Sequence, residues 1–147
     1  MVIAAIAAFS FAGCGGDGDS APDYSKYAGT YKFKKYVHEI GVTKTYNVGD
    51  TLDGVTLTAD YFVMILGDDG KFTVNSPLAE NDATLTPYGN QIHGNMTGTW
   101  KPRDYGIDVT IGDEDIRSIY INETEITYSF SGVGLIMHTY YLEKAAA

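Results

Sequence analysis

The sequence predicts an all-β fold, an antiparallel up-and-down meander closed into a small barrel of about eight strands. The composition favours strands and tight turns, because the 147 residues include 12 Tyr and 17 Gly but 4 Pro. Apolar and polar residues alternate with a period of two in one short segment after another. Turn sequences such as GDDG at residues 67–70 separate these segments.

Strand candidates follow one another along the chain. They are residues 27–39, 42–48, 61–66, 71–75, 92–101, 107–111, 116–121, 124–130 and 135–143. Most of the connections are short, which favours antiparallel neighbours, and such a meander loses its exposed edges by closing into a barrel. Two longer segments, 47–58 and 76–91, interrupt the rhythm, and we expect the second to lie at one mouth of the barrel.

The candidate interior of this barrel is bulky. Strict alternation in the first strand places Tyr31, Phe33 and Val37 on one face and Lys32, Lys34 and His38 on the other. The expected cavity or core residues are Tyr31, Phe33, Phe62, Met64, Phe72, Trp100, Tyr128 and Phe130, with Ile107 and Val109 beside them. A barrel of this size is filled by side chains or holds one small ligand, and the sequence leaves both alternatives open.

Charge and cysteine content exclude several classes of protein. Ten Lys and Arg against 19 Asp and Glu give a net charge of −9, whereas a nucleic-acid partner requires a basic surface. The length fits a single domain. One cysteine permits neither an intramolecular disulfide nor a cysteine-rich metal site.

The single cysteine follows an apolar N-terminal run. Residues 2–12 are too few to span a bilayer, which takes about 20 residues, but they fit the apolar core of a signal peptide. The run ends in FAGC at residues 11–14, and a polar segment rich in Gly and Asp follows.

This order of features resembles the lipobox of bacterial lipoproteins, in which an apolar residue and two small residues precede a cysteine. The resemblance implies a signal peptide over residues 1–13 and a diacylglyceryl group on Cys14. Residues 14–26 would then be the lipidated cysteine and a flexible tether, and residues 27–147 the barrel domain. Lipidation would anchor the exported protein to a bacterial membrane in the cell envelope.

The barrel domain resembles the lipocalin-like lipoproteins of bacteria. Lipocalins begin their first strand with a Gly-x-Trp motif whose ring plugs the closed end of the barrel, and residues 29–32 (GTYK) match it with Tyr31 in place of Trp. A second copy, GTWK, lies at residues 98–101, and the last strand, HTYYLEK at 138–144, resembles the closing strand of such domains. The resemblance implies a cavity for a small, partly apolar molecule.

We therefore expect a non-enzymatic, membrane-anchored lipoprotein, monomeric and without a cofactor, that binds a small amphiphilic or hydrophobic ligand. The alternative is a surface module with a filled barrel that binds a polysaccharide or a protein partner through an external face. Tyrosines in linkers or near turns could stack on sugars in that case; they are Tyr24, Tyr46, Tyr88 and Tyr105.

Catalytic and metal sites are not expected. His38, His93 and His138 fall on three predicted strands and would bind zinc only if they converged, which their spacing does not indicate. The acidic sequences at residues 68–69 and 113–115 lie between glycines, where Asp favours a turn over a calcium site. There is no Gly-x-Ser-x-Gly motif that would indicate a serine nucleophile.

Overall fold

A computed structural model describes residues 21–79, 92–122 and 124–146. The predicted signal peptide, Cys14, Tyr88 and most of the long segment 76–91 lie outside these residues.

The described residues form strands joined mostly by tight turns. The strands are β1 (Gly29–Ile40), β2 (Val42–Asn47), β3 (Thr51–Leu52), β4 (Val55–Thr56), β5 (Val63–Leu66), β6 (Lys71–Asn75), β7 (Asn95–Arg103), β8 (Gly106–Ile111), β9 (Glu114–Asn122), β10 (Glu125–Ser131) and β11 (Met137–Lys144). Two short 3-10 turns, Tyr24–Lys26 and Val133–Leu135, complete the described secondary structure. Every strand that the sequence predicts is present, with ends that differ by three residues or fewer.

Eight strands form a closed antiparallel barrel, as predicted. Their order is β11-β10-β9-β8-β7-β6-β5-β1, and β11 pairs with β1 to close the ring. One edge of β1 pairs with β11, and its other edge pairs first with β5 and then, from Lys35 to Ile40, with β2. Strand β1 therefore runs the full height of the barrel, and β2 extends the wall at one end.

Part of the segment 47–58 forms an additional hairpin that the sequence analysis did not predict. Strands β3 and β4 flank Asp53 and Gly54, which both have positive φ (50° and 83°), as a two-residue Asp-Gly hairpin requires. Two backbone hydrogen bonds follow this hairpin, from Leu57 to Asp50 and from Gly49 to Leu57, both 2.8 Å long. They hold the buried side chain of Leu57 in the barrel core.

The barrel interior contains every predicted interior residue. Each of these side chains is at most 2% exposed: Tyr31, Phe33, Phe62, Met64, Phe72, Trp100, Ile107, Val109, Tyr128 and Phe130. Aromatic rings pack edge to face in the middle of the barrel, where the Phe62 ring centre lies 6.0 Å from that of Tyr128 and 5.2 Å from that of Tyr140. These contacts make the middle of the barrel a packed core.

The 3-10 turn Tyr24–Lys26 covers one end of the barrel. The ring of Tyr24 meets the ring of Trp100 edge-on at 4.9 Å, and the indole N–H donates to the carbonyl of Gly67 at 3.0 Å. The Tyr31 hydroxyl donates to the Tyr27 carbonyl at 2.8 Å, and burial raises the pKa of Tyr31 to about 12. The aromatic residues of both Gly-Thr-aromatic sequences thus lie near this closed end.

A β-bulge in β1 overturns the predicted faces of Val37 and His38. Phe33 pairs with Leu142 and Lys35 with Tyr141, so Lys34 is an extra residue without a partner on β11. One extra residue reverses the alternation of every residue after it. His38 consequently lies on the inner face with Tyr31 and Phe33, and the prediction that it shares the outer face with the lysines is wrong.

The bulge turns two consecutive side chains outward, and both belong to lysines that have partners on the outer wall. The Lys34 ammonium lies 2.8 Å from the carboxylate of Glu125, and the Lys35 ammonium lies 4.3 Å from the ring centre of Tyr141. Both lysines thus have partners on the outer wall, and the chain can place them side by side without burying a charge.

Deletion of Lys34 should destabilise the protein by more than about 3 kcal/mol, because the inward side chains beyond the bulge would turn out of the core. The matched variant Lys34→Ala keeps the bulge and loses two solvent-accessible ion pairs, with Glu125 and Glu143, so it should cost only about 1 kcal/mol. Guanidinium denaturation followed by Trp100 fluorescence measures both. Equal stability of the two variants would contradict this assignment of the bulge.

Candidate ligand-binding cleft at the open end of the barrel

A cleft of about 390 Å³ opens at the end of the barrel opposite the 3-10 turn Tyr24–Lys26. The end of β1, the start of β11, strand β2, the β3–β4 hairpin and the segments beside β5 and β6 form its walls. Its lining residues are Tyr36, His38, Ile40, Lys44, Tyr46, Leu52, Asp53, Tyr61, Pro77, Leu78, Ile136, His138 and Tyr140.

Four strands contribute a row of tyrosines to the inner wall. Cross-strand register places Tyr46 of β2, Tyr36 of β1, Tyr140 of β11 and Tyr128 of β10 directly beside one another. The ring centre of Tyr36 lies 5.9 Å from that of Tyr46 and 4.6 Å from that of Tyr140, with interplanar angles of 17° and 19°. We call these four residues the tyrosine row.

A second row lies two residues nearer the mouth on the same strands. It consists of Lys44, His38, His138 and Phe130, again in direct cross-strand register. The His38 and His138 rings are 5.1 Å apart at 16°, and the His138 and Phe130 rings are 5.0 Å apart at 15°. We call these four residues the histidine row.

The two rows follow from a pattern that recurs in the sequence of each strand. The segments YVH (36–38), KTY (44–46), YSF (128–130) and HTY (138–140) each carry two members separated by one residue. Side chains two residues apart lie on one face of a strand, and residues directly opposite lie close enough to contact. The sequence therefore contains the pattern of each strand, but the bulge in β1 made it impossible to predict that these faces meet.

A buried hydrogen bond links the two rows. The Tyr36 hydroxyl oxygen lies 2.7 Å from Nδ1 of His138, and the two residues are 6% and 3% exposed. A neutral imidazole that carries its own proton on Nε2 accepts a hydrogen bond from the phenol at Nδ1. This bond satisfies a polar pair within the aromatic wall and fixes the His138 ring.

The charged groups of the cleft lie on its rim. Lys44 and Asp53 are both exposed. Among the described residues that line the cleft, they are the ones with an ammonium or a carboxylate group. Within the part of the chain that the structure describes, Lys44 forms no ion pair. The cleft thus combines an aromatic wall with a rim cation, Lys44, that is not ion-paired among the described residues.

The three histidines do not share one strand register. His38 and His138 form a cross-strand pair, whereas His93 precedes β7 and lies outside any strand, which corrects its predicted position. Over the described ranges, no group of three or more His, Cys, Asp or Glu side chains is arranged to hold a metal ion.

In the acidic turn at residues 68–69, the carboxylate of Asp69 bonds a neighbouring residue of the chain. The Asp69 carboxylate accepts the Lys71 backbone N–H at 3.1 Å and pairs with the Lys71 ammonium at 2.6 Å. These contacts with Lys71, first the side-chain hydrogen bond, hold the pKa of Asp69 below its usual value. The geometry is that of a turn in which Asp bonds its own backbone neighbours.

The tyrosines considered for sugar stacking occupy different environments. Tyr24 packs on Trp100 at the closed end, and Tyr46 lies half-buried in the tyrosine row. Tyr105 is 78% exposed at the turn between β7 and β8, with Tyr120 of β9 51% exposed beside the same groove.

Comparison of the chain with family models, with curated proteins and with solved structures finds no match. In the described ranges, no helix has the length and apolar character needed to cross a bilayer.

Tyr36→Phe should lower the free energy of unfolding by about 1–2 kcal/mol, because it removes the phenol that bonds Nδ1 of the buried His138 imidazole. Tyr46→Phe is the matched control in the same row, since its hydroxyl makes no hydrogen bond among the described residues. The control should change stability by less than about 0.5 kcal/mol. Urea denaturation measures both, and equal effects would contradict a structural role for the Tyr36–His138 bond.

Proposed function

We propose that the protein is a membrane-anchored extracytoplasmic lipoprotein that binds a small amphiphilic or hydrophobic molecule and does not catalyse a reaction. The observation that carries the proposal is the cleft of about 390 Å³ at the open end of the barrel. Small-molecule sites are concave, about 300–1,000 Å³ in volume, and mostly apolar with a few polar groups. The volume of this cleft lies in that range, and its lining combines apolar side chains with polar and charged groups in similar measure.

The lining supports an amphiphilic ligand. Aliphatic side chains from four segments, Ile40, Leu52, Leu78 and Ile136, face the same space as the aromatic wall. These groups bind an apolar body by removing its surface from water. Lys44 and Asp53 at the rim can bind a polar head while it remains partly in water.

The lining also supports binding rather than catalysis. Among the described residues of the cleft there is no Ser, Thr or Cys that could act as a nucleophile beside His38 or His138. The hydroxyls present are phenols, and that of Tyr36 bonds His138 inside the packed wall.

The anchor part of the proposal comes from the apolar N-terminal run and Cys14. The chain enters the barrel at the closed end, where Tyr24–Lys26 covers it. A lipid on Cys14 would hold the closed end towards the membrane, within about 35 Å for ten extended residues. The cleft would then face away from the bilayer and receive its ligand from the aqueous side.

Ligand binding is tested by native mass spectrometry of the protein purified from its own host. We expect a non-covalent small-molecule adduct on the wild type. Ile40→Trp, which fills the rim of the cleft, should abolish the adduct, whereas Ile65→Trp should retain it. Ile65 is the matched control because it is also an exposed isoleucine but lies on the outer face of β5. Absence of an adduct, or its persistence in Ile40→Trp, would contradict the cleft as the binding site.

The anchor is tested by Cys14→Ser. Without the sulfur that carries the lipid, the protein should leave the membrane fraction and appear in the soluble extracytoplasmic fraction. The control is Ser20→Cys in the Cys14→Ser background, which restores a thiol outside the lipobox and should not restore membrane association. Membrane retention of Cys14→Ser would exclude lipidation at this residue as the anchor.

A second candidate function rests on the outer wall. The exposed rings of Tyr105 and Tyr120 flank a groove of about 470 Å³ with Lys26, Asp104 and Asn122. Rings beside carboxylate and amide groups are typical of surfaces that bind polysaccharides. Binding to envelope polysaccharide that Tyr105→Ser abolishes and Ile40→Trp leaves intact would favour this alternative.

A further inference from the structure

We propose that the cleft selects a flat aromatic anion, whose ring continues the tyrosine row and whose acidic group meets Lys44. This inference rests on the proposed ligand-binding function and adds the chemical class of the ligand.

The first argument is the shared orientation of the rings. Four neighbouring ring pairs in the two rows are within 20° of parallel, at centre distances from 4.6 to 5.9 Å: Tyr46–Tyr36, Tyr36–Tyr140, His38–His138 and His138–Phe130. These distances are close to the strand spacing of about 4.8 Å, so each ring occupies one step of a regular ladder. The wall therefore presents flat surfaces at a fixed pitch, which a flat ligand matches better than a flexible alkyl chain.

The second argument is the place where the ladder ends. Strand β2 is the last strand of the sheet on its side, and in the described part of the chain no strand pairs with its outer edge. The tyrosine row ends on this strand at Tyr46, whose half-buried side chain lines the cleft. Because Tyr46 borders the cleft, an aromatic ligand held there can continue the row by stacking on its ring.

The third argument is the charge at the end of the histidine row. Lys44 lies two residues before Tyr46 on the same face of β2, about 7 Å along the strand. His38 lies directly opposite Lys44 and adds an imidazole N–H donor. Since Lys44 has no ion pair among the described residues, a carboxylate or sulfonate of the ligand can serve as its counter-charge.

The Asp53 carboxylate disfavours an anionic ligand, so replacing it tests the inferred preference for an anion. Its carboxylate lines the same cleft from the tip of the β3–β4 hairpin, and it carries the sign that repels an anion. Two side chains of opposite charge therefore border one cleft without forming an ion pair with each other. Neutralising each one should change the affinity for an anion in opposite directions.

The experiment uses three fluorescent probes with the folded barrel protein. Anilinonaphthalene sulfonate is an aromatic anion with a flat naphthalene ring system, N-phenylnaphthylamine is the same skeleton without the sulfonate, and parinaric acid is an aliphatic anion. We expect anilinonaphthalene sulfonate to bind more tightly than the other two, and Ile40→Trp to weaken all binding at the cleft.

The charge variants test the anionic part. Lys44→Gln should weaken anilinonaphthalene sulfonate about fivefold, and Asp53→Asn should strengthen it by a smaller factor. Neither should change the affinity for N-phenylnaphthylamine, which has no charge. Lys101→Gln is the matched control, because Lys101 is an exposed lysine on β7 outside the cleft. An unchanged affinity for the sulfonate in Lys44→Gln would overturn the anionic part.

Tyr46→Leu tests the stacking part. It keeps an apolar, though shorter, side chain and removes the ring, so both aromatic probes should bind about fivefold more weakly and parinaric acid should not. Tighter binding of parinaric acid than of both aromatic probes, or aromatic affinities unchanged in Tyr46→Leu, would overturn the inferred ligand class and leave the cleft as a binding site. Probe binding that Ile40→Trp does not weaken would overturn the proposed function itself.

Discussion

The pairing of β1 with β11 is the interaction on which the rest of the structure depends. It joins the first and last strands of the meander and converts an open sheet with two edges into a closed barrel. Because β1 runs from the closed end to the open end, its register decides which side chains meet at both. Tyr31 pairs with Lys144 near the closed end, and His38 pairs with His138 at the open end. A slip of one residue would move every inward side chain of β1 to the outer face.

The bulge at Lys34 allows β1 to place inward-facing aromatic side chains at both ends of the barrel. With strict alternation, Tyr31 and Phe33 would face inwards and Tyr36 would face solvent, so the barrel could have aromatic packing at one end but not at the other. The extra residue leaves one strand position without a partner on β11, and its carbonyl accepts the Val48 backbone N–H at 3.3 Å instead. β-bulges occur where a strand must re-aim its side chains, often beside functional sites. Here the re-aimed residues Tyr36 and His38 both line the cleft.

Local patterns in the sequence were sufficient to predict the strands and the packed middle of the barrel, because alternation and turn chemistry are short-range properties. Phe62, Trp100 and Tyr128 were expected in the interior because they are bulky residues of predicted strands, and they are buried. The cleft could not be predicted in the same way. It depends on register between strands about 100 residues apart, such as Tyr36 and Tyr140, and on a bulge that two consecutive lysines only hint at. The β3–β4 hairpin was missed for a different reason, since two-residue strands are too short to show a period.

The aromatic rings and the charge of the cleft contribute different amounts to the free energy of binding. The chain carries a net charge of −9, so its long-range field does not attract an anion, although salt screens that field beyond about 8 Å. An exposed ion pair with Lys44 contributes about 1 kcal/mol or less. Removing about 200 Å² of a flat ring system from water contributes about 5 kcal/mol. The aromatic wall therefore supplies most of the affinity, and Lys44 sets which end of the molecule lies at the rim.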